Sequence, residues 1–183
     1  MPNALKRWYQ ETILLSRLSA PLLIGQLAQT GMGATDTIMA GRYSAEDLAA
    51  IAVGQSLWLP LLIFFVGLFS ATTTLVAHSN GAGNHSAIKQ ITQQSLWIAL
   101  FTAPLAALAL LYSEHVAIAM GVDLAVVTIM DNYMAYLAFG VPAAAIFFAM
   151  RGAVEGSSQT RPIMLLSLGC FIANIPLNYI LIF

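Results

Sequence analysis

Five long apolar runs, at 13–39, 49–77, 91–111, 126–150 and 162–183, set the strongest limit on how this chain can fold. A bilayer's hydrocarbon core needs about 20 apolar residues per spanning helix, and each run meets that length. The runs are continuous rather than alternating and about twice as long as a barrel strand, so helices are expected rather than a β-barrel. Only 8% of the residues are charged, against roughly 25% in soluble domains. The expected fold class is therefore all-α membrane: a multi-pass bundle of about five transmembrane helices, forming one domain over 1–183.

Several function classes drop out early. A net charge of −1 with no basic cluster argues against nucleic acid as a partner. Cys170 is the single cysteine and builds neither a disulfide nor a metal cluster. His78, His85 and His115 are too scattered for metal-ligand spacing. "GMG" and "GAG" follow no strand and precede no lysine at phosphate-loop spacing. No nucleophile–base arrangement occurs in the runs, so an enzyme is not expected and no cofactor is called for. The first run has a basic start, but it is longer than a signal h-region and carries Gln26, Gln29 and Thr30, so a retained helix is expected. Before it, "LKRWYQETILLSR" suits a short interfacial segment anchored by Trp8 and Tyr9.

Charge orders the connections. Lys6, Arg7, Arg17, Lys89, Arg151 and Arg161 fall on one side, in the N-terminus and the segments "HSNGAGNHSAIKQ" and "RGAVEGSSQTRP". The other side, "GRYSAEDLA" and "YSEHVAIAMGVD", has Arg42 and the acids Glu46, Asp47, Glu114 and Asp123. The positive-inside rule then predicts a cytoplasmic N-terminus in a cell (inner) membrane protein. At about 1.5 Å per residue, Asp36 lies roughly 28 Å above Arg17, while Asn174 and Asn178 lie about 20 and 25 Å above Arg161. The three side chains are expected in one outer layer.

Asp36 is the only ionisable side chain between Leu18 and Ala40. Ionisable groups inside a membrane default to function. Asn174 and Asn178, at i and i+4, share a helix face, and Pro176 between them is expected to kink the helix and free the Ile172 carbonyl. Amide, carbonyl and carboxylate oxygens together suit Na+ or a transferred proton. Gln29, Gln55 and Tyr133 are candidate cavity residues. Plainer readings stand beside these. Asp36 can mark the water interface by capping a segment that begins at Thr37, and the asparagines can be interhelical glue. The glutamines, Gln26 included, can serve packing, and Asp131 and Asn132 can open the fourth helix.

Three blocks, "ATDTIMAGRYSAEDLAAIAVG", "RGAVEGSSQTRPIM" and "NIPLNYILIF", resemble the multidrug and toxic compound extrusion (MATE) transporters, in the branch of bacterial multidrug/sodium antiporters. The resemblance runs through the whole chain in order and spacing. It implies a cation-coupled antiporter, built as two six-helix lobes around a cavity, that exports cationic drugs in exchange for Na+ or H+. It implies that Asp36 is the first-lobe coupling carboxylate, with Asn174 and Asn178 beside it. Some members are similar but carry a second acid where Asn178 stands. Five spans match most of one lobe, the N-terminal one without its sixth helix, since lobes related by an axis along the membrane normal hold even numbers of spans. The expected partners are cationic small molecules, the bilayer and a missing C-terminal lobe. An alternative is a truncated or non-transporting protein that works only when paired with a second lobe. A lipid-linked oligosaccharide flippase is a third reading, but it needs basic groups in the spans to hold phosphate, and no central Arg or Lys is expected there.

Overall fold

Helix caps and glycine turns divide the described residues into six helices. A computed structural model describes residues 2–182, with side chains for 8–42 and 44–180. The helices are α1 (Pro2–Tyr43), α2 (Ala45–Gly81), α3 (His85–Leu111), α4 (Ser113–Ala119), α5 (Leu124–Gly156) and α6 (Arg161–Ile182). Ser44 alone separates α1 from α2. Its extended backbone and its hydroxyl, which accepts from the Glu46 and Asp47 amides, start α2, and those two acids suit the positive end of the helix dipole. Gly83, at φ +69°, turns the chain into α3, where Asn84 caps Ala87 at 3.0 Å. Gly121, at φ +77°, precedes the Asp123 cap of α5.

The helices run further than the apolar runs that predict them, because their polar ends are capped rather than unwound. The expected loops shrink accordingly: His78–Gly81 end α2, and Arg151–Gly156 end α5. The anticipated interfacial segment is not separate, since α1 continues unbroken through residues 2–17, with Trp8 and Tyr9 exposed. Asp36 lies inside α1 and caps nothing; the cap at this end is Ser44. Asp131 and Asn132 do not open α5 but sit about two turns inside it, after the Asp123 cap. The short α4 stands where a plain loop was expected.

Among the described residues, four helices, α2, α3, α5 and residues 161–180 of α6, are long and apolar enough to cross a membrane. The fifth long helix, α1, has the length, but Gln26, Gln29, Thr30, Thr35, Asp36 and Thr37 lower its hydropathy. A helix of that polarity belongs against protein or a wet cleft rather than lipid.

The core joins α2, α3 and α5 around buried Phe65, Leu110, Met130, Met134 and Val141. Phe65 stacks on Phe69 and Phe148 with both centroid distances at 6.3 Å. Contacts of Gly54 with Tyr133, Gly152 with Phe69, and Gly156 with Thr73 show α2 and α5 running parallel. Thr72 and Ser95 share a buried hydrogen bond of 2.7 Å and pair α2 antiparallel with α3. The other layer is a parallel α1–α6 pair, which meets the first chiefly through α1 and α2.

Candidate cation-binding site

Small residues let α1 and α6 approach, and that approach builds the site. Gly25 faces Ser167, Gly31 faces the Phe171 ring, and Gln29 donates to Ser167 at 3.5 Å. Positions 164, 167, 171, 174 and 178 recur at helical spacing on one face of α6. One further step along this seam, Asn174 Nδ2 donates to Asp36 Oδ1 at 3.0 Å, and Asn178 Nδ2 donates to the same oxygen. Asn178 also donates to Asn174 Oδ1 at 3.3 Å. All three side chains are half-buried.

Both amides present N–H groups to one carboxylate oxygen. An amide offers a carbonyl oxygen on its other edge. Reorienting either asparagine would turn the trio into an oxygen cluster able to accept a hard cation or a proton. The cluster can therefore hold two hydrogen-bonding states.

The remaining candidates separate. Tyr133 stands on α5 with its ring packed over Gly54 of α2. Gln29 lies about 10 Å below Asp36 along α1, by the helical rise. Gln55 is exposed, its side chain makes no hydrogen bond among the described residues, and it joins neither the trio nor the cleft described next. Pro176 is exposed, and α6 runs through it as one helix. Among the described residues, no group of three or more His, Cys, Asp or Glu is placed to hold a metal ion.

Between α1, α2 and α5 lies a cleft of about 580 Å³, and of the candidate cavity residues Gln29 lines it. Gln26 and Gln29 line one wall, and Thr73, Phe69 and Phe148 line the other. At its foot Arg151 Nε donates to Glu155 Oε1 at 2.7 Å, with both side chains 21% exposed. The sequence places both residues in the expected connection "RGAVEGSSQTRP", and their i,i+4 spacing becomes a pairing signal only because α5 continues through it. Arg151 sits in the last turns of α5, beyond the run 126–150, and is paired with Glu155.

A MatE family model matches residues 21–180. The chain belongs to the MatE family. Multidrug resistance protein PmpM of Pseudomonas aeruginosa is 41% identical over 170 residues, which is 92% of this chain and 36% of that protein. Multidrug resistance protein MdtK of Yersinia pestis is 39% identical over 180 residues, 98% of this chain and 39% of that one. The chain thus spans well under half the length of these MatE relatives. A solved MOP superfamily transporter from Pyrococcus furiosus, described as having a binding pocket of reverse polarity, shares the fold with a TM-score of 0.81 at 22% identity. That likeness covers 93% of this chain and 38% of the other.

Proposed function

We propose that this chain forms most of the N-terminal lobe of a cation-coupled exporter of cationic drugs, in a cell inner membrane with a cytoplasmic N-terminus, and that it works together with a second lobe. The observation that carries the reading is the hydrogen bonding of one α1 carboxylate to two α6 amides. The multidrug resistance names of the relatives support the substrate class.

In this mechanism Na+ compensates, or H+ neutralises, the Asp36 charge that holds both amide N–H groups. The asparagines turn their oxygens inward, the α1–α6 seam repacks, and affinity for the organic cation falls. Such coupling requires that the ion bind the two packings with different affinity. Neither ion is favoured, since a carboxylate with two amides can serve both.

Dye efflux driven by a Na+ or pH gradient tests the proposal in the full-length transporter containing this segment. Asp36→Asn should lower ion-dependent efflux by about 5–150-fold, the usual span of a coupling free energy, while the protein still reaches the membrane. Unchanged ion-driven efflux in Asp36→Asn would refute the mechanism.

A further inference from the structure

The α1–α6 seam carries two polar levels, the Gln29–Ser167 pair and the carboxylate–amide trio. They lie about two helical turns, or ~10 Å, apart on both helices. Gly31 and Phe171 stand between them, and the half-buried Phe171 ring fills that interval. Its Cε2 and Cζ are 3.0 and 3.2 Å from the place a Cβ on Gly31 would take. No α6 side chain between Ser167 and Asn174 carries an oxygen or a nitrogen. On α1, Thr30 and Thr35 turn their hydroxyls back onto their own helix, to the Gln26 and Gly31 carbonyls at 3.0 and 2.9 Å. The Gln29 level, by contrast, opens on the cleft, and its 3.5 Å bond to Ser167 is long enough to leave the amide free to turn.

We propose that Phe171 is the barrier that keeps an ion held at the trio from passing along the seam to Gln29, Ser167 and the cleft. A cation on that route crosses an interval in which the ring supplies no ligand. There it has neither water nor protein oxygens around it, which is a costly state. Ordered water cannot bridge the interval either, because a buried water needs several polar partners. With the ring off Gly31, water can enter and the Gln29 and Ser167 oxygens come into reach. The ring packs on α1 while its backbone belongs to α6, so it leaves only when the two helices repack. Ion passage is thereby tied to the same movement that changes drug affinity. Phe171 binds no ion and acts by exclusion. The inference rests on the reading of Asp36 as the ion's site, and it adds the residue that makes the ion's departure conditional.

Drug-free ion flux into liposomes holding the full-length transporter that contains this segment is the test, with radioactive sodium and an internal pH dye as the probes. Phe171→Ala should raise that flux by about tenfold, a barrier lower by ~1.4 kcal/mol. Phe171→Leu keeps an apolar side chain over Gly31 and should stay tight. In a Cys170→Ser background, Phe171→Cys should leak, and benzyl methanethiosulfonate, which restores a ring at this position, should close the leak. That arm compares one preparation before and after the reagent, so a folding defect does not mimic it. Adding Asp36→Asn should abolish the leak, since the route then lacks its ion site. A Phe171→Ala protein that melts earlier but passes no more ions overturns the proposal, because the ring is then packing alone. A leak that survives Asp36→Asn, or complete benzylation of Phe171→Cys, overturns it as well. The two readings fail separately. Ion-driven efflux lost in Asp36→Asn with no leak in Phe171→Ala removes the barrier and spares the coupling mechanism. Efflux retained in Asp36→Asn, with a Phe171→Ala leak that still depends on Asp36, removes the mechanism and spares the barrier.

Discussion

At the scale of single residues, the absence of a side chain decides as much as its presence. A Cβ added to Gly156 would stand 2.6 Å from the Thr73 carbonyl oxygen and 2.8 Å from Val76 Cβ. Backbone blocks it, so no rotamer change relieves the clash. Gly156→Ala should destabilise the protein by about 1–3 kcal/mol, as overpacking does, and a thermal unfolding series in lipid checks it. Gly67→Ala, with nothing within 4 Å of its new carbon, is the matched control and should be neutral or raise stability by up to about 1 kcal/mol. Asp36 shows the opposite dependence: its role comes from what it touches. The sequence marks it as a lone acid in a polar helix, but the hydrogen bonds to Asn174 and Asn178 span 138 and 142 positions, beyond the reach of any local pattern.

Between elements, the α1–α6 seam is where a local event becomes a change of packing. Small residues at positions 25 and 31 face Ser167 and Phe171, and the carboxylate–amide cluster closes the end of the seam nearest Ser44. The position a Cβ would take on Gly25 lies 3.7 Å from Ser167 Cβ, close to the ~3.8 Å mean of disulfides. In a Cys170→Ser background, the Gly25→Cys, Ser167→Cys pair should cross-link on mild oxidation. If coupling works by repacking this seam, oxidation stops ion-driven efflux and a reductant restores it. Full efflux from the cross-linked protein would place the coupling motion elsewhere. The i,i+4 spacing of Asn174 and Asn178 is legible in the sequence. Which α1 residues they oppose is not, because helix faces that are apolar all round do not reveal their partner.

Over the whole molecule, α2, α3 and α5 share a core to which α1 and α6 contribute no residue. The α1–α6 pair can therefore shift against a stable trio without opening it. The proposed orientation is a property at this scale and is checked by labelling. In cells with Cys170→Ser, a membrane-impermeant maleimide should modify Met120→Cys from outside and reach Ser86→Cys only after permeabilisation. The reverse pattern would invert the topology and place the Asp36 layer at the cytoplasmic face.

Sequence alone determined the helical membrane class, the positions of the five long helices and the residues of the carboxylate–amide trio. Each rests on short-range physics: run length against bilayer thickness, helical spacing, and the cost of a charge in lipid. Helix ends were misjudged where polar residues are capped, at Ser44 and at Arg151–Gly156. Tertiary structure alone decided that Asp36 meets Asn174 and Asn178, that Gln55 stands apart, and that Arg151 and Glu155 face a cleft. Those outcomes depend on which faces of nearly uniform apolar helices pack together, and small residues and long-range hydrogen bonds settle that only once the helices meet.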